Sequence, residues 1–349
     1  MKLLKITGLL AVLAFLAACG STGASVSETS RGVSGVPGWM MDLEAEYPDA
    51  KYLAAVGSGD TRRGAENDAT GALARLFTVN VKVDAVAQQR YAELVKGDKT
   101  YTESEKAISE TVGTQANEQF VNLRFSDPYT DERGTTHAVA YIERESTAAI
   151  YRSLIQKDLA KLDDFLERAS SMSGSLQRYA FYDAAYSVGL NAERMIGQLR
   201  IIHANTARLL ESQLDLRKVA AARDSEAGKL TYMIAITGDA DQRLAGIIRK
   251  TLESMSLSYQ ERGLLMVKGS WSVNPVTLTD QFKSVQWAAN ISLYDESGAA
   301  IATYAKQSRE NGLNELQAAN VAYRQVEKNL TTDFLKSIQN YLTRIVTGG

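Results

Sequence analysis

Residues Val285 to Leu293 read VQWAANISL, and this stretch decides the fold of the C-terminal part of the chain. Its apolar side chains occupy every second position: Val285, Trp287, Ala289, Ile291 and Leu293. Gln286, Asn290 and Ser292 lie between them. Because successive side chains of a strand point to opposite faces, this alternation predicts a strand with one buried face. One-sided alternation is typical of an antiparallel sheet that is covered on one face only.

The flanking sequence predicts a complete unit around this strand. Leu230 to Ile236, Leu265 to Val273 and Ala300 to Lys306 also read as strands, and a turn lies at 295–298. A helix is predicted from about Asp241 to Met255. With the final helix, residues 227–349 are expected to form a β-α-β-β-β-α domain.

The final helix carries a long apolar stripe at three- and four-residue spacing: Leu316, Ala319, Tyr323, Val326, Leu330, Phe334, Ile338, Tyr341 and Ile345. Such a stripe covers a sheet when the helix is part of a core. Nearly the same spacing forms the seam of a coiled coil with a partner. The sequence leaves both interpretations open.

The preceding segment, 151–226, shows a helical period broken at 172–175 and again near 188–190. This pattern predicts a helical hairpin or connector. With small antiparallel sheets packed against helices on either side of this helical middle segment, the predicted fold class is α+β.

Residues 37–150 are predicted to form a smaller α+β domain. Its predicted elements are a strand over 52–57, a turn over 57–60, a helix over 61–78 with Asp60 as N-cap, a strand over 79–83, a polar helical stretch over 84–118 broken at Gly97, and a hairpin over 120–142. Gly57 and Gly59 precede the first helix. They fit either an anion-binding turn or a tight turn that uses the positive φ angles open to glycine.

The N-terminus has the features of a secretory signal peptide over residues 1–18. Lys2 and Lys5 precede the apolar run Ile6 to Phe15, which is too short to span a bilayer because spanning takes about 20 residues. Leu16-Ala17-Ala18 then leads into Cys19, the only cysteine in the chain, which we expect to be acylated after cleavage. Residues 19–36 are small and polar and are expected to form a flexible tether.

The segment 37–150 resembles the twenty-kilodalton bacterial lipoprotein family, the LPP-twenty domain. The resemblance rests on Pro37-Gly38-Trp39, the strand ending in Val56-Gly57-Ser58-Gly59, the Ala-rich helix after it, and the run from Ala138 to Arg144. It implies a lipoprotein facing the periplasm, and it brings no catalytic residues, because the family is not known for enzymatic activity. Gly20-Ser21 after the cysteine favours the outer membrane by analogy with bacterial sorting rules.

Composition limits the remaining possibilities. The 349 residues carry 39 basic and 41 acidic side chains, a net charge of −2, which gives no electrostatic basis for nucleic-acid binding. The two histidines, His137 and His203, lie on different predicted elements, so no metal site is indicated. No nucleophile motif and no cofactor-binding motif is recognisable, and we expect neither enzymatic activity nor a cofactor.

The three tryptophans, Trp39, Trp271 and Trp287, are the candidate binding residues, although Trp271 and Trp287 share the apolar parity of their strands. The sequence therefore predicts an envelope lipoprotein that contacts the membrane through its lipid and scaffolds or regulates an envelope assembly through a protein partner. The alternative is a binding module for peptidoglycan or a small envelope ligand. The oligomeric state stays open.

Overall fold

The computed structural model describes residues 35–76, 85–96, 98–107, 120–276 and 283–348. The predicted signal peptide, Cys19, nearly all of the tether, the predicted strand over 79–83 and residues 108–118 lie outside these ranges. The chain divides into two compact units, residues 1–46 and 47–349. In the first unit, two short helices are described, α1 (Gly38–Met41) and α2 (Leu43–Glu46), and the Trp39 amide donates to Glu46 Oε2 at 2.9 Å.

The second unit begins with an antiparallel sheet built around strand β4 (Thr136–Glu143). Strand β1 (Tyr52–Gly59) pairs along one side of β4, and the two-residue strands β2 (Arg124–Phe125) and β3 (Tyr129–Thr130) pair along the other. Helix α3 (Arg62–Leu76) packs on one face through the buried Ala65, Ala69 and Leu73. The predicted strand, helix and hairpin are present within the described residues.

Two local expectations in this region are wrong. Gly57 and Gly59 belong to β1 and neither has a positive φ angle. Glycine is required at residue 57 because a Cβ there would lie 2.0 Å from the Ala69 backbone nitrogen of α3. The N-cap of α3 is Thr61 rather than Asp60, since the Thr61 hydroxyl accepts from the Gly64 amide at 3.1 Å.

Within the described residues, the helices that follow or interrupt this sheet include α4 (Ala85–Lys96), α5 (Arg144–Ser171), α6 (Ser175–Ile202), α7 (Ala204–Glu211) and α8 (Leu216–Lys229). The long helices α5 and α6 pack side by side, as the predicted hairpin requires. The expected break near 188–190 is absent, and α6 runs through Gly189. A Cβ at Gly189 would lie 2.9 Å from Leu216 Cδ1 and 3.0 Å from Leu162 Cδ1, so this glycine allows close helix packing.

Arg144 connects the first sheet to the end of α6. Its Nη1 donates to the backbone oxygens of Ile201 at 2.7 Å and Ile202 at 2.9 Å, while its Nε donates to Asp49 O at 2.6 Å. One guanidinium therefore satisfies carbonyls that the C-terminus of α6 would otherwise leave unpaired.

The second sheet has strand order β6-β5-β7-β8-β9, and its strands are β5 (Thr231–Thr237), β6 (Ser258–Tyr259), β7 (Leu265–Val276), β8 (Lys283–Tyr294) and β9 (Ala300–Gly312). The expectation of a wholly antiparallel sheet is wrong, because β5 pairs parallel with both β6 and β7. The connection between β5 and β7 includes helix α9 (Arg243–Glu253), a crossover of the kind that parallel strands need. The pairs β7–β8 and β8–β9 are antiparallel.

The C-terminal helix covers one face of this sheet as α10 (Glu315–Asn329), a π-helical turn (Leu330–Phe334) and α11 (Leu335–Thr347). Its buried apolar residues are Ala318, Ala322, Tyr323, Val326, Leu330, Phe334, Leu335, Ile338, Leu342 and Val346. The stripe therefore packs in the core and does not form a coiled-coil seam. The first predicted member, Leu316, is 70% exposed.

Residues on both sides of position 226 share the largest hydrophobic cluster, which includes Phe181 of α6 and Trp287 of β8. The domain boundaries at residues 150 and 226 stay predictions. Among the described helices, none combines the length and the apolar character needed to cross a bilayer. The fold class is α+β, with two small sheets packed against helices.

Candidate functional site

The two tryptophans of the second sheet lie on its covered face. Trp271 of β7 is 5% exposed and Trp287 of β8 is 1% exposed, and their ring centroids are 5.8 Å apart. Trp287 Nε1 donates to Glu310 Oε1 of β9 at 3.3 Å. Both indoles belong to the core, and neither ring is presented to a ligand.

Trp271 is fixed by a short polar chain that reaches the surface. Its Nε1 donates to the Tyr323 hydroxyl of α10 at 3.0 Å, and that hydroxyl lies 3.4 Å from Asp241 Oδ1. Burial raises the pKa of Tyr323. The Arg243 guanidinium stacks on the Tyr323 ring, 3.8 Å from its centroid. The buried indole N–H is thus satisfied by a tyrosine that is itself held in place.

The opposite face of the same strands carries polar side chains that point away from the helices. We call this surface the open face. Its residues are Lys268, Ser270, Ser272 and Asn274 of β7, Gln286, Ala288, Asn290 and Ser292 of β8, and Thr303, Ala305, Gln307 and Arg309 of β9. All of these are exposed except Ala288, which is partly exposed, and Ser292, which is buried. The alternation in VQWAANISL predicted a sheet covered on one face only, and the uncovered face extends over three strands.

A shallow depression of about 390 Å³ lies on the open face. Small side chains, Ser270, Ser272, Ala288 and Ala305, form its floor, and the longer amides of Asn290 and Gln307 stand beside them. Hydroxyl and amide groups both donate and accept hydrogen bonds, so the depression suits a neutral polar ligand or protein surface. The backbone of Trp271 contributes to it, but its indole lies behind the sheet.

The charged groups of the open face are both cationic. Lys268 lies on β7 beside the Tyr294 ring, with its Nζ 5.9 Å from the ring centroid. Arg309 lies on β9 near the opposite end of the strands, because it pairs with Gln286 while Lys268 pairs with Ser292. A neutral centre with a cation at two opposite corners favours a partner that is polar in the middle and acidic at its margin.

A second surface cavity, of about 400 Å³, lies between α9 and α10. Arg243 Nη2 donates to Asn320 Oδ1 at 3.0 Å, and Lys250 Nζ lies 2.8 Å from Glu327 Oε1. The Glu327 carboxylate raises the pKa of Lys250. These side chains join the two helices to each other, so their polar groups are used for packing and the open face is the stronger candidate.

A buried polar cluster surrounds Asp158 of α5, which is 0% exposed. Its Oδ1 accepts from the hydroxyls of Tyr101 at 2.6 Å and Tyr91 at 3.1 Å, and its Oδ2 accepts from Asn191 Nδ2 at 2.8 Å. Burial raises the pKa of Asp158 to about 6, against the opposing effect of these hydrogen bonds. Arg194, whose pKa is lowered by burial, donates to Asn191 Oδ1.

The Asp158 cluster joins α4, the 98–107 segment, α5 and α6. Within the described residues, its hydrogen-bond partners are tyrosines and an amide rather than a second carboxylate. We assign it a structural role.

The two histidines make hydrogen bonds that stabilise local structure. His137 Nε2 lies 3.2 Å from Asp131 Oδ2 beside the β3–β4 turn, and His203 caps α7 by accepting from the Thr206 amide at 3.3 Å. Across the described ranges, no group of three or more histidine, cysteine, aspartate or glutamate side chains could hold a metal ion. Trp39 is 4% exposed in α1, and Cys19 lies outside the described residues.

Sequence reasoning noted the polar parity of Gln286, Asn290 and Ser292 but named the tryptophans as the binding residues. The small residues of the depression could have been found by reading β7 and β9 at the same parity. Asp158 could also have been found, because it falls on the apolar stripe of α5 between Leu154, Ile155 and Leu162.

Comparisons with known proteins do not assign the chain to a family. No family model matches it, and no curated protein matches it. Among solved structures, it is similar to the secreted protein HP1454 from the human pathogen Helicobacter pylori, with a TM-score of 0.40 and 10% identity over 82% of this chain and 98% of that one.

A minor lipoprotein from Acinetobacter baumannii is similar over 34% of this chain and 92% of its own length, with a TM-score of 0.21 and 11% identity. The resemblance to the LPP-twenty family stays a prediction.

Proposed function

We propose that this protein is a non-enzymatic lipoprotein of the bacterial envelope that scaffolds or regulates an envelope assembly through protein contacts. Acylated Cys19 anchors it in the outer membrane on the periplasmic side, and the tether gives the folded part its reach. The signal-like N-terminus ending in Leu16-Ala17-Ala18-Cys19 supports the anchor. The open face supports the protein contact, and it is the observation that carries the proposal.

The open face has the extent and polarity of a surface that binds another polar protein surface. Its strands are 12 or 13 residues long, and their other face is sealed by α10 and α11. Many of the side chains that point outward, such as Ser270, Ser272 and Ala305, are short, so they lose little conformational entropy when a partner orders them. The partner we expect is a protein whose contact surface is polar and neutral at its centre, with acidic residues opposite Lys268 and Arg309.

Photo-crosslinking in intact cells tests this proposal. A photoreactive amino acid replaces Ala305 on the open face of the full-length protein, and in a matched control it replaces Ala149, an exposed alanine on α5. We expect a discrete protein adduct from position 305 and none from position 149. An absent adduct at 305, or the same adducts at both positions, contradicts the proposal.

Charge reversal gives a second readout. Replacing Lys268 and Arg309 together by Glu should weaken the adduct formed from position 305 by about tenfold or more, since each close like-charge contact opposes binding. Replacing the exposed Arg208 of α7 by Glu serves as the control. If the double reversal leaves the amount of adduct unchanged, the partner does not carry acidic residues opposite Lys268 and Arg309.

The second candidate function is a binding module for peptidoglycan or a small envelope ligand. The depression of about 390 Å³ favours it, because hydroxyl and amide groups hydrogen-bond well to neutral sugars. Sedimentation of the protein with isolated cell-wall sacculi separates the two functions. Co-sedimentation that Ala288→Phe abolishes by filling the depression supports the glycan ligand, and unchanged sedimentation of the variant opposes it.

A further inference from the structure

Strand β1 forms an outer edge of the first sheet. Among the described strands it pairs with β4 alone, along one side, and its sequence YLAAVGSG contains no charged residue and no proline. Edge strands are ordinarily protected from pairing by lysines, prolines or bulges. The β1–β4 register runs without a bulge from Tyr52 to Gly59, so β1 has none of these protections.

The backbone hydrogen bonds show which residues of β1 point outward. The Tyr52 amide donates to Pro48 O at 2.8 Å, and the Ser58 amide donates to Asp68 Oδ2 at 2.9 Å. Val139, which lies opposite Val56, bonds on the far side of β4 to Ser126 through both its N–H and its C=O. Because backbone groups alternate in direction along a strand, those of Ala54 and Val56 point away from β4.

Ala54 and Val56 are the unsatisfied part of this edge. Within the described residues, neither the N–H nor the C=O of these two residues meets a hydrogen-bond partner. On one side of them, both backbone groups of Tyr52 are hydrogen-bonded, since its N–H donates to Pro48 O and its C=O accepts from Arg144 Nε at 3.2 Å. On the other side, the Ser58 amide is taken by Asp68.

This pattern is self-complementary. In an antiparallel pair with a second β1, a two-fold axis through Ala55 places Ala54 of each copy opposite Val56 of the other. Four hydrogen bonds then use every unsatisfied N–H and C=O of the two residues. A shift of the register by two residues brings either Tyr52, whose N–H and C=O are already bonded, or Ser58, whose N–H is already bonded, opposite Ala54 or Val56.

The described residues around the edge leave room for a second copy. Asp68 marks the side of α3 that faces the edge, because its carboxylate reaches the Ser58 amide. The residues four before and three after it on the same side of the helix are Gly64 and Gly71, which have no side chain to obstruct a second α3. On the other face of the sheet, Val56 is 38% exposed.

We propose that β1 pairs with β1 of a second copy of this chain and joins the two first sheets into one continuous sheet. This surface is distinct from the open face, and the inference does not depend on the proposed partner of that face.

A cysteine at the axis tests the pairing directly. Residues on a two-fold axis between antiparallel strands have Cα atoms about 4.5 Å apart, within the range that a disulfide spans. Ala55→Cys is made in the full-length protein, membranes are treated with a mild oxidant, and products are separated on a non-reducing gel. We expect a disulfide-linked homodimer.

Two controls define the background. Ser58→Cys on the same strand should not cross-link, since its Cα atoms would be about 20 Å apart in the proposed dimer. The unsubstituted protein reports any cross-link through Cys19. Equal dimer from positions 55 and 58 would indicate random collision and overturn the proposal.

Val56→Pro removes the outward N–H without touching the β1–β4 hydrogen bonds, because proline is tolerated on strand edges. Combined with Ala55→Cys, it should reduce the dimer about tenfold or more, since each dimer loses two hydrogen bonds. Ala54→Glu, which places like charges near the axis and leaves the backbone intact, should reduce it similarly in case the proline variant is unfolded.

An Ala55→Cys protein that remains monomeric, or that cross-links to a different protein, overturns the proposal. So does a dimer that neither Val56→Pro nor Ala54→Glu weakens.

Discussion

The Tyr101 hydroxyl donates a 2.6 Å hydrogen bond to Oδ1 of Asp158, and both side chains are buried. This contact ties the 98–107 segment to α5 at a point where the carboxylate is removed from water. Tyr91 and Asn191 add further donors to the same carboxylate. The bonds reduce the penalty of burying the charge, but the pKa of Asp158 remains raised to about 6.

The first prediction follows from that pKa. Because the folded state holds the Asp158 proton more tightly than the unfolded state, the contribution to stability is fully present below the ordinary pKa of about 4 and is lost as the pH rises through about 6. Asp158→Asn cannot ionise. The fall in the free energy of unfolding between pH 4.5 and pH 7.5 should therefore be smaller in the variant by about 2 kcal/mol.

Urea unfolding at several pH values measures this difference. The range above pH 4.5 is chosen because Asp131 and Asp295 have lowered pKa values and affect stability only at lower pH. Asp163→Asn, on the exposed side of the same helix, is the control and should leave the pH profile unchanged. Parallel profiles for wild type and Asp158→Asn would refute the prediction.

The second prediction concerns the hydrogen bond behind the open face. Tyr323→Phe leaves the buried Trp271 N–H without its acceptor, so the free energy of unfolding should fall by about 1–3 kcal/mol. Tyr294→Phe, on the exposed side of the sheet, should change it by less than about 0.5 kcal/mol. Denaturant unfolding of both variants measures the difference. Equal stability of the two would show that the Trp271–Tyr323 bond contributes nothing.

The third prediction separates two kinds of glycine. Gly57→Ala forces a methyl group against the backbone of Ala69 and should destabilise the protein by about 3 kcal/mol or more. Gly228→Ala lies in helix α8, where no atom is within 4 Å of the added Cβ, and should stabilise it by about 0.5–1 kcal/mol. Thermal unfolding of the pair tests both signs. A neutral Gly57→Ala would mean that α3 does not press on β1 as described.

The fourth prediction tests the anchor. Cys19→Ser removes the only thiol that could be acylated, so the protein should either accumulate as an unprocessed precursor or leave the membrane fraction. Membrane fractionation and gel mobility of the full-length protein report the result. Ser21→Ala, two residues further on, is the control and should keep wild-type processing. Unchanged retention and mobility of Cys19→Ser would contradict lipid attachment.

The burial pattern of the second sheet was accessible from sequence, and the direction of its strands was not. Alternation in VQWAANISL reports which side chains are covered, and the structure confirms it at Trp287 and Ile291. Alternation carries no information on whether β5 runs parallel to β7. The helix predicted between these strands was the available clue, since a crossover connection makes parallel pairing possible.

The C-terminal stripe shows how a local irregularity limits such reasoning. The spacing from Tyr323 to Ile338 was correct, but the π-helical turn over 330–334 lies within it, and Leu316 at its start is exposed. The prediction of a turn at Gly57 and Gly59 was wrong because the sequence does not reveal that the backbone of Ala69 lies 2.0 Å from the position of a Cβ added at Gly57. The edge of β1 was missed for a similar reason, because it is defined by the hydrogen bonds that the Ser58 and Tyr52 amides donate to Asp68 and Pro48.

The two sides of β7, β8 and β9 are subject to separate constraints. Substitutions at Ala288 or Gln307 alter the open face and leave Trp271 and Trp287 in the core undisturbed. Evolution can therefore change the side chains of the open face without first acquiring compensating mutations in the core. Among descendants of a common ancestor, the outward-pointing positions should diverge rapidly while the tryptophan positions stay constant.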